Sequence, residues 1–423
     1  MRVARAVTFI GLIGMLVLAG CATSTSPSPS TAPTSSIPPS SRLPASVTPS
    51  GLPSIPVSDR FAVWKRFEMP DPTPQVYGGE WAADVIAYKT GYRAIGFING
   101  GCCDGGFTTD TRAVMWTSLD GKTWRLEPDL PEFALSHMVG AATDGYRIVV
   151  VGSNNVESVA YPGSAESRGA VWTSTDGASW KAQFENVPQF NSVTFSYGRF
   201  WAAANRDAGP EIWSTTDGLS WTLEASPSVL GAGSINVLRS TSLGLIAAGF
   251  AEVAPGSDGS RTSTAMTWLS TGSGVWHRAP DQPALLRAQM EDVAGLDGKL
   301  LALGANEAAD GGLVWESEDG LVWTRVDQPA FALDCALPDK LIATPAGLLA
   351  AGAKGCSTAQ FRAWTSPDGS MWSMVPDSQP GLKGQELQVQ GWLIRADGSV
   401  LAVGYGSVSD VFHVAPMAWL VEP

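Results

Sequence analysis

The chain has 423 residues, with 27 Lys and Arg against 40 Asp and Glu, so its formal net charge is −13. An acidic surface argues against binding to nucleic acid and against direct adhesion to anionic lipid, because both carry the same sign of charge. The three histidines, His137, His277 and His413, are too far apart in the sequence for a metal-ligand spacing, and we expect neither a metal nor another cofactor.

The first 20 residues have the pattern of a secretory signal. Arg2 and Arg5 give a positive start, and an apolar stretch follows. The run Leu18-Ala19-Gly20-Cys21 resembles the bacterial lipobox. The resemblance implies cleavage before Cys21 and a diacylglycerol on its sulfur, hence a domain anchored to the membrane on the outer side of a bacterial envelope. The alternatives are an ordinary signal peptide with a chance cysteine, or an uncleaved anchor.

Residues 21–57 comprise this cysteine and a segment of mostly Ser, Thr and Pro with almost no charge. Such a composition buries too little apolar surface to offset its ordering entropy, so we expect a disordered tether. At the polyproline rise of about 3.1 Å per residue it could span on the order of 100 Å. Residues 58–423 are predicted to form the folded domain.

A tryptophan pair recurs through that domain in one fixed frame, as in Trp172-Thr-Ser-Thr-Asp-Gly-Ala-Ser-Trp180. Repeats of this kind are typical of β-propellers. The other five copies start at Trp116, Trp213, Trp268, Trp315 and Trp364. An inner hairpin with a glycine turn precedes each outer one, and the seven turns lie at Gly91, Gly145, Gly198, Gly244, Gly298, Gly347 and Gly398. The sequence therefore predicts an all-β, seven-bladed propeller of four-stranded blades.

The seventh copy of the frame is split between the two ends of the domain. Trp419 matches the first strand of an outer hairpin, and Trp64 matches the second. Pairing of these terminal strands would complete one blade and close the ring without leaving open sheet edges. We expect the framed tryptophans, together with Trp201 and Trp392, to be packing residues.

The turn Ser/Thr-x-Asp-Gly-x-x-Trp inside the frame resembles the Asp-box, or sialidase-type BNR repeat, in a form one residue shorter between Asp and Gly. Its carboxylates are predicted to lock the turns by accepting backbone N–H groups. In that family these turns lie on the face opposite the active site. The blade starting at Trp268 departs, with Gly272-Ser273 in place of Asp-Gly. The matching aspartates are Asp120, Asp176, Asp217, Asp319 and Asp368.

A sialidase resembling this fold would need an arginine triad, a Tyr nucleophile with a Glu partner, and an Asp acid/base. The nearest match to the arginine motif of such enzymes is Tyr146-Arg147-Ile148, where Val149 replaces Pro. Glu211 and Glu291 have no evident Tyr partner in the sequence. We therefore assign no catalytic residue and treat a sialidase-like or other glycan-processing enzyme as the alternative function.

The loops from second to third strand and from blade to blade share one face and vary most between repeats, notably in segments 99–110, 153–168, 251–261 and 405–413. The four cysteines beyond the leader map to the same face. An exported domain meets oxidising conditions, so we predict a Cys335–Cys356 disulfide, and either a Cys102–Cys103 bond or two thiols.

Three residues near this face are candidate ligand contacts: Trp81, His137 and Arg287. The favoured prediction is a surface-anchored, non-catalytic recognition or scaffold protein, expected to be a monomer. Its partner would be an envelope protein or a glycan bound by the loop-rich face.

Overall fold

A computed structural model describes residue 61 and residues 63–72, 79–99, 111–157, 165–253, 262–331, 335–355, 360–376, 378–383, 385–407 and 414–422. The predictions for the signal peptide, for Cys21 and for the tether over residues 21–57 lie outside these ranges. No helix in the described ranges has the length and apolar character needed to cross a membrane.

The described residues form 28 strands, nearly all antiparallel to their neighbours. The strands are, in chain order, β1 (Val63–Glu68), β2 (Gly79–Tyr88), β3 (Gly91–Asn99), β4 (Arg112–Ser118), β5 (Arg125–Leu126), β6 (Ser136–Thr143), β7 (Ile148–Glu157), β8 (Ala165–Ser174), β9 (Lys181–Gln183), β10 (Phe190–Ser196), β11 (Arg199–Arg206), β12 (Gly209–Thr215), β13 (Thr222–Ala225), β14 (Ser234–Thr241), β15 (Gly244–Val253), β16 (Thr262–Ser270), β17 (His277–Arg278), β18 (Ala288–Leu296), β19 (Lys299–Asn306), β20 (Gly312–Ser317), β21 (Thr324–Val326), β22 (Leu337–Thr344), β23 (Gly347–Lys354), β24 (Gln360–Ser366), β25 (Ser373–Met374), β26 (Gln385–Ile394), β27 (Val400–Ser407) and β28 (Val414–Glu422).

Each blade takes four consecutive strands from β2 onward, so blade 1 is β2 to β5 and blade 6 is β22 to β25. Blade 7 consists of β26, β27, β28 and the N-terminal β1. The first strands of neighbouring blades contact one another in a closed cycle, in which β26 meets β2. The predicted seven-bladed propeller is confirmed, and its first strands surround the axis.

The two ends of the domain complete blade 7 as the split tryptophan frame predicts. β1 pairs antiparallel with β28, with Val63 opposite Glu422 and Arg66 opposite Trp419. Trp64 is only 1% exposed, and its Nε1 donates to Phe61 O at 3.1 Å. The ring is therefore closed by strand pairing between the two termini of the domain.

The framed tryptophans fill the spaces between blades. Twelve of the fourteen are buried, and Trp213 and Trp221 are half-buried. The second tryptophan of each intact frame does not lie on the fourth strand, as the sequence suggested, but immediately before it, as Trp124 does before β5. The second tryptophan is therefore the last residue of the turn. Its indole packs inward, and the short fourth strand begins at the next residue.

The first tryptophan of the frame also fixes the connection that leads into its own blade. Trp172 Nε1 donates to Glu132 O at 2.7 Å, and Trp315 Nε1 donates to Ala284 O at 2.7 Å. Both carbonyls belong to short 3-10 helices, Pro131–Phe133 and Pro283–Leu285. One side chain thus buries apolar surface and satisfies a helix carbonyl at the same time.

The first strand of every blade contains a β-bulge against the second strand, a feature that the sequence analysis did not predict. In blade 5, for example, the register shifts between Met290 and Asp292. A bulge adds a residue and re-aims the side chains around it. The extra residues are Ala83, Val139, Asn191, Asn236, Glu291, Asp339 and Gln390.

Candidate functional site at the axial mouth

The antiparallel order gives the propeller two unlike faces. The hairpin-turn face carries the turns between first and second strands and those between third and fourth strands. The loop-rich face carries the other two kinds of connection. Of the segments predicted to vary, residues 99, 153–157, 165–168, 251–253 and 405–407 extend the flanking strands. The remainder of those segments lies outside the described residues.

The repeated aspartates sit in the turns of the hairpin-turn face and are engaged by backbone donors. Asp120 Oδ1 accepts from Lys122 N and Thr123 N, both at 2.8 Å. Ser118 Oγ accepts from Gly121 N at 2.9 Å, and Gly121 has a φ of 75°. The N–H groups of Thr123 and Lys122 lower the pKa of Asp120. The same arrangement recurs at Asp176, Asp217 and Asp319, and in part at Asp368.

The divergent turn of blade 4 is built differently. Gly272 has a φ of 90° and lies against the ring of Tyr197 from blade 3, where a Cβ atom would stand 2.6 Å from Tyr197 Cγ. Trp276 Nε1 has no hydrogen-bond partner among the described residues, whereas Trp124 Nε1 donates to Gly121 O at 3.2 Å. An aromatic ring from the neighbouring blade therefore covers the turn that lacks the carboxylate.

Two of the three candidate ligand contacts come together on the loop-rich face. Trp81 stacks on Phe97 with ring centroids 5.0 Å apart, and Phe97 meets His137 edge to face at 4.6 Å. Tyr405 of blade 7 meets Trp81 edge to face at 5.9 Å. All four rings are half-buried, and we call Trp81, Phe97, His137 and Tyr405 the aromatic rim. Burial lowers the pKa of His137.

Arg287, the third candidate, does not join this group. It lies in blade 5, just before β18, with its side chain 78% exposed. Its Nε donates to Glu307 Oε2 at 3.0 Å. The structure thus separates Arg287 from the aromatic rim.

A polar group lies at and beside the bulges of the first strands. Asp292, which is 1% exposed, accepts two hydrogen bonds from Arg239 of blade 4, both at 3.1 Å. It also accepts from Leu341 N of blade 6 at 2.9 Å. One carboxylate thereby joins three consecutive blades. We define the axial cluster as Asp84, Asn236, Arg239, Glu291, Asp292, Asp339, Lys340 and Gln388.

Equivalent acceptors link other blades next to the bulge. Asp84 Oδ2 accepts from Ala141 N of blade 2 at 3.0 Å, and Ser192 Oγ accepts from Leu238 N of blade 4 at 3.1 Å. Burial raises the pKa of Asp84, and the N–H groups of Ala141 and Val85 oppose that rise. The residue after the bulge therefore ties blades together in pairs.

Glu291 and Asp339 are less well satisfied. Asn236 Nδ2 donates to Glu291 Oε2 at 3.2 Å. Burial, together with the Asp339 carboxyl, raises the pKa of Glu291 to about 7. Burial also raises the pKa of Asp339, which Lys340 opposes. Asp339 Oδ1 is sealed from solvent without a hydrogen-bond partner among the described residues.

The structure shows where the residues that most resemble parts of a sialidase site lie. The axial cluster contains one arginine, Arg239, and Asp292 occupies it. Tyr405 donates its hydroxyl to Gln388 Oε1. Tyr146 is 69% exposed on the hairpin-turn face, and Arg147 donates to Thr216 O at 2.6 Å, tying blade 2 to blade 3. Within the described ranges, no three His, Cys, Asp or Glu side chains are grouped to hold a metal ion.

The cysteine predictions fall largely outside the described residues. Cys335, at a φ of 50°, is disulfide-bonded. Cys102, Cys103 and Cys356 lie outside those ranges, so the Cys335–Cys356 pairing stays a prediction.

Sequence reasoning missed the axial cluster. Its only sequence signal is the charged pair Glu291-Asp292 or Asp339-Lys340 interrupting an otherwise apolar first strand. Asp292 is one of the few charged residues in the core, and burying it requires the pairing that Arg239 provides.

The fold and these residues define an all-β, seven-bladed propeller with a polar axis. No family model and no curated protein matches the chain. Among solved structures, it is similar to YCF48 bound to D1 peptide, at 13% identity and a TM-score of 0.51, over 85% of this chain and 95% of that one.

Sialidase and WD40 propellers are also similar in fold. The Trypanosoma rangeli sialidase in complex with the inhibitor DANA is 10% identical at a TM-score of 0.42, over 81% of this chain and 55% of that one. The WD40 propeller domain of Doa1 is 9% identical at a TM-score of 0.47, over 85% of this chain and 96% of that one. At such identities the likeness concerns the fold alone.

Proposed function

We propose that this protein is a lipid-anchored, extracytoplasmic propeller that recognises a protein partner through its loop-rich face without catalysing a reaction. The observation that carries the proposal is the aromatic rim. Its rings come from blades 7, 1 and 2 and remain half-exposed where the second-to-third loops begin. Aromatic side chains that stay partly exposed on a rigid scaffold are the residues that most often anchor a partner.

A protein partner fits the neighbouring polar groups better than a glycan does. A sugar site needs free carboxylates and amides beside the rings to bind hydroxyl groups. Asp84, Asp292 and Arg239 already bond to one another or to backbone, and the less well satisfied Glu291 and Asp339 lie in blades 5 and 6, outside the blades of the rim. What stays available at the rim is mainly apolar ring surface, which suits an apolar or aromatic side chain. The peptide bound to YCF48 supports the proposal only as a fold-level analogy.

Photo-crosslinking from single positions tests the proposal in the full-length chain. A benzophenone amino acid is placed at Trp81 or Tyr405 of the rim, with Tyr146 and Tyr197 of the hairpin-turn face as matched aromatic controls. We expect one protein adduct from both rim positions, at least about tenfold stronger than from the controls, since hot-spot residues lie at the centre of an interface. Equal adducts from both faces would contradict recognition by the loop-rich face.

A glycan array incubated with the protein separates the other outcomes. Specific binding with the sugars left intact would make a glycan the ligand and overturn the protein-partner proposal. Loss of terminal sugars would favour the glycan-processing enzyme instead. A blank array together with rim-specific adducts is the result that we expect.

A further inference from the structure

Two carboxylates from neighbouring blades stand at corresponding bulges beside the axis. Glu291 is the extra residue of β18, and Asp339 is the extra residue of β22. The two first strands pack against each other, and the Asp339 charge acts directly on Glu291. The seam between blades 5 and 6 therefore contains two carboxyl groups at corresponding bulges of adjacent strands.

The hydrogen bonds around this pair are too few for two charges. Asn236 Nδ2 donates to Glu291 Oε2 at 3.2 Å. Asp339 Oδ1, however, is buried with no donor among the described residues. An ionised carboxylate away from water needs donors on both oxygens, whereas an uncharged carboxyl loses far less on burial. The sealed Oδ1 of Asp339, which lacks a donor among the described residues, thus favours a proton on this half-buried pair.

The charged groups around Glu291 and Asp339 do not supply enough positive charge to stabilise both as carboxylates. Lys340 of β22 is the cation nearest to both carboxyls, while Arg239 of β14 is taken up by Asp292. The other strands packed on β18, namely β15, β16 and β19, contribute apolar side chains to the contact. One lysine thus faces two carboxyls, and Asp292 adds further negative charge.

We propose that Glu291 and Asp339 form a proton-responsive seam: the closed seam holds a proton on one of the two carboxyls, and its loss sets two charges against each other and loosens β18 from β22. Because burial places the pKa of Glu291 at about 7, the change falls near neutral pH. A carboxyl whose pKa is raised on folding stabilises the folded state at low pH. That contribution is lost as the pH rises from the ordinary glutamate value through about 7.

The seam connects to the loop-rich face without depending on any partner there. Gln388 lowers the pKa of Asp339 against the rise that burial causes, and its Oε1 accepts from the hydroxyl of Tyr405, which belongs to the aromatic rim. This inference concerns the protein alone, and it stands or falls separately from the proposed function.

Hydrogen exchange of the full-length protein tests the proposal. We expect amide protection in peptides covering β18 and β22 to fall about tenfold between pH 6 and pH 8, after correction for intrinsic exchange; this factor corresponds to one pKa unit. Peptides covering β6 and β10 are the internal control, because their bulges carry the uncharged Val139 and Asn191. Their corrected protection should not change.

Substitutions locate the effect. Glu291→Gln and Asp339→Asn should each flatten the pH dependence of β18 and β22, while Glu318→Gln, an exposed site on the hairpin-turn face, should leave it as in the wild type. Flat wild-type protection from pH 6 to pH 8, or an unchanged slope in Glu291→Gln, would overturn the proposal. The comparison with β6 and β10 within the wild type decides the question even if a variant fails to fold.

Discussion

A pair of side chains closes the turn of the outer hairpin in blades 1, 2, 3, 5 and 6 of this propeller. A Ser or Thr hydroxyl accepts the N–H of the turn glycine, and the aspartate two positions after it accepts the next two N–H groups, as Thr215 and Asp217 do around Gly218. Three backbone donors that would otherwise face water or go unpaired are thereby satisfied within the six residues 215–220. The motif is local, which is why the sequence alone could predict its turns.

At this scale we expect Asp217→Ala to lower the free energy of unfolding by about 1–2 kcal/mol, because two backbone donors lose their acceptor. Burial raises the pKa of Asp217, but its backbone and hydroxyl donors outweigh this and hold the value at about 2. The aspartate therefore stabilises the fold above the ordinary pKa of 3.8, and this contribution is lost as the pH falls through about 2. Urea denaturation at pH 7 and pH 3 measures both effects.

The matched control is Asp207→Ala, at an exposed aspartate in the turn between β11 and β12 of the same blade. Its cost should stay within about 0.5 kcal/mol, as for most surface substitutions. Equal losses in the free energy of unfolding for Asp207→Ala and Asp217→Ala would mean that the turn hydrogen bonds contribute nothing to stability.

At the scale of the strand, prediction from sequence worked where the determinant is local and failed where it depends on a neighbouring blade. Gly298 and Asp297 form a turn with φ of 83° and 51°. Two adjacent residues in the sequence are enough to predict such a turn. The bulge at Glu291 depends instead on the register of β18 against β19 and on the donors that β14 provides. No spacing within one repeat encodes those partners, so the axial cluster could not be predicted.

One substitution tests how firmly that cluster joins the blades. Asp292→Ala leaves Arg239 without its ion pair and Leu341 N without its acceptor. We expect a loss of about 2–3 kcal/mol in the free energy of unfolding, below the value for a fully buried pair because the Arg239 side chain is 40% exposed. Chemical denaturation measures it, with Asp281→Ala, in the exposed Arg278 pair, as the control.

A loss no larger than that of the control would show that the Arg239–Asp292 pair is dispensable for stability. In that case the bulges, rather than the charges beside them, would hold the first strands together.

The closing strand can be tested in the same way. Trp64→Ala should lower the free energy of unfolding by about 3–5 kcal/mol, because it empties a fully buried site that contacts Phe361 at 5.8 Å. The adjacent Val63→Ala, at a side chain 41% exposed, should cost less than about 1 kcal/mol. Similar costs in thermal denaturation would indicate that β1 contributes little to closure.

At the scale of the whole molecule, the repeat period predicted seven blades and the split frame predicted how they close, since both are properties of the entire chain. The anchoring of the molecule is a proposal that rests on the resemblance around Cys21. Composition could indicate an exported, acidic domain. It could not indicate which face meets a partner, because that depends on side chains brought together from blades 7, 1 and 2.

For the anchor, Cys21→Ser should abolish incorporation of labelled palmitate and move the protein from the membrane fraction to the soluble fraction, because the acceptor sulfur is lost. Cys335→Ser is the matched control and should leave both readouts unchanged. Retention of Cys21→Ser in the membrane would instead indicate an uncleaved anchor, and an unlabelled, soluble wild type would indicate an ordinary signal peptide.

The pairing of β1 with β28 also determines when the propeller ring can close during synthesis. Lys65 and Glu422 form an ion pair across 357 positions of sequence, so β1 has no strand to pair with until blades 1 to 6 and β28 have been synthesised. Contacts between residues this far apart in sequence form late, because the chain loses conformational entropy in bringing them together before the contacts contribute any stability. Six blades can assemble on a growing chain, but the ring stays open until β28 has been added and pairs with β1.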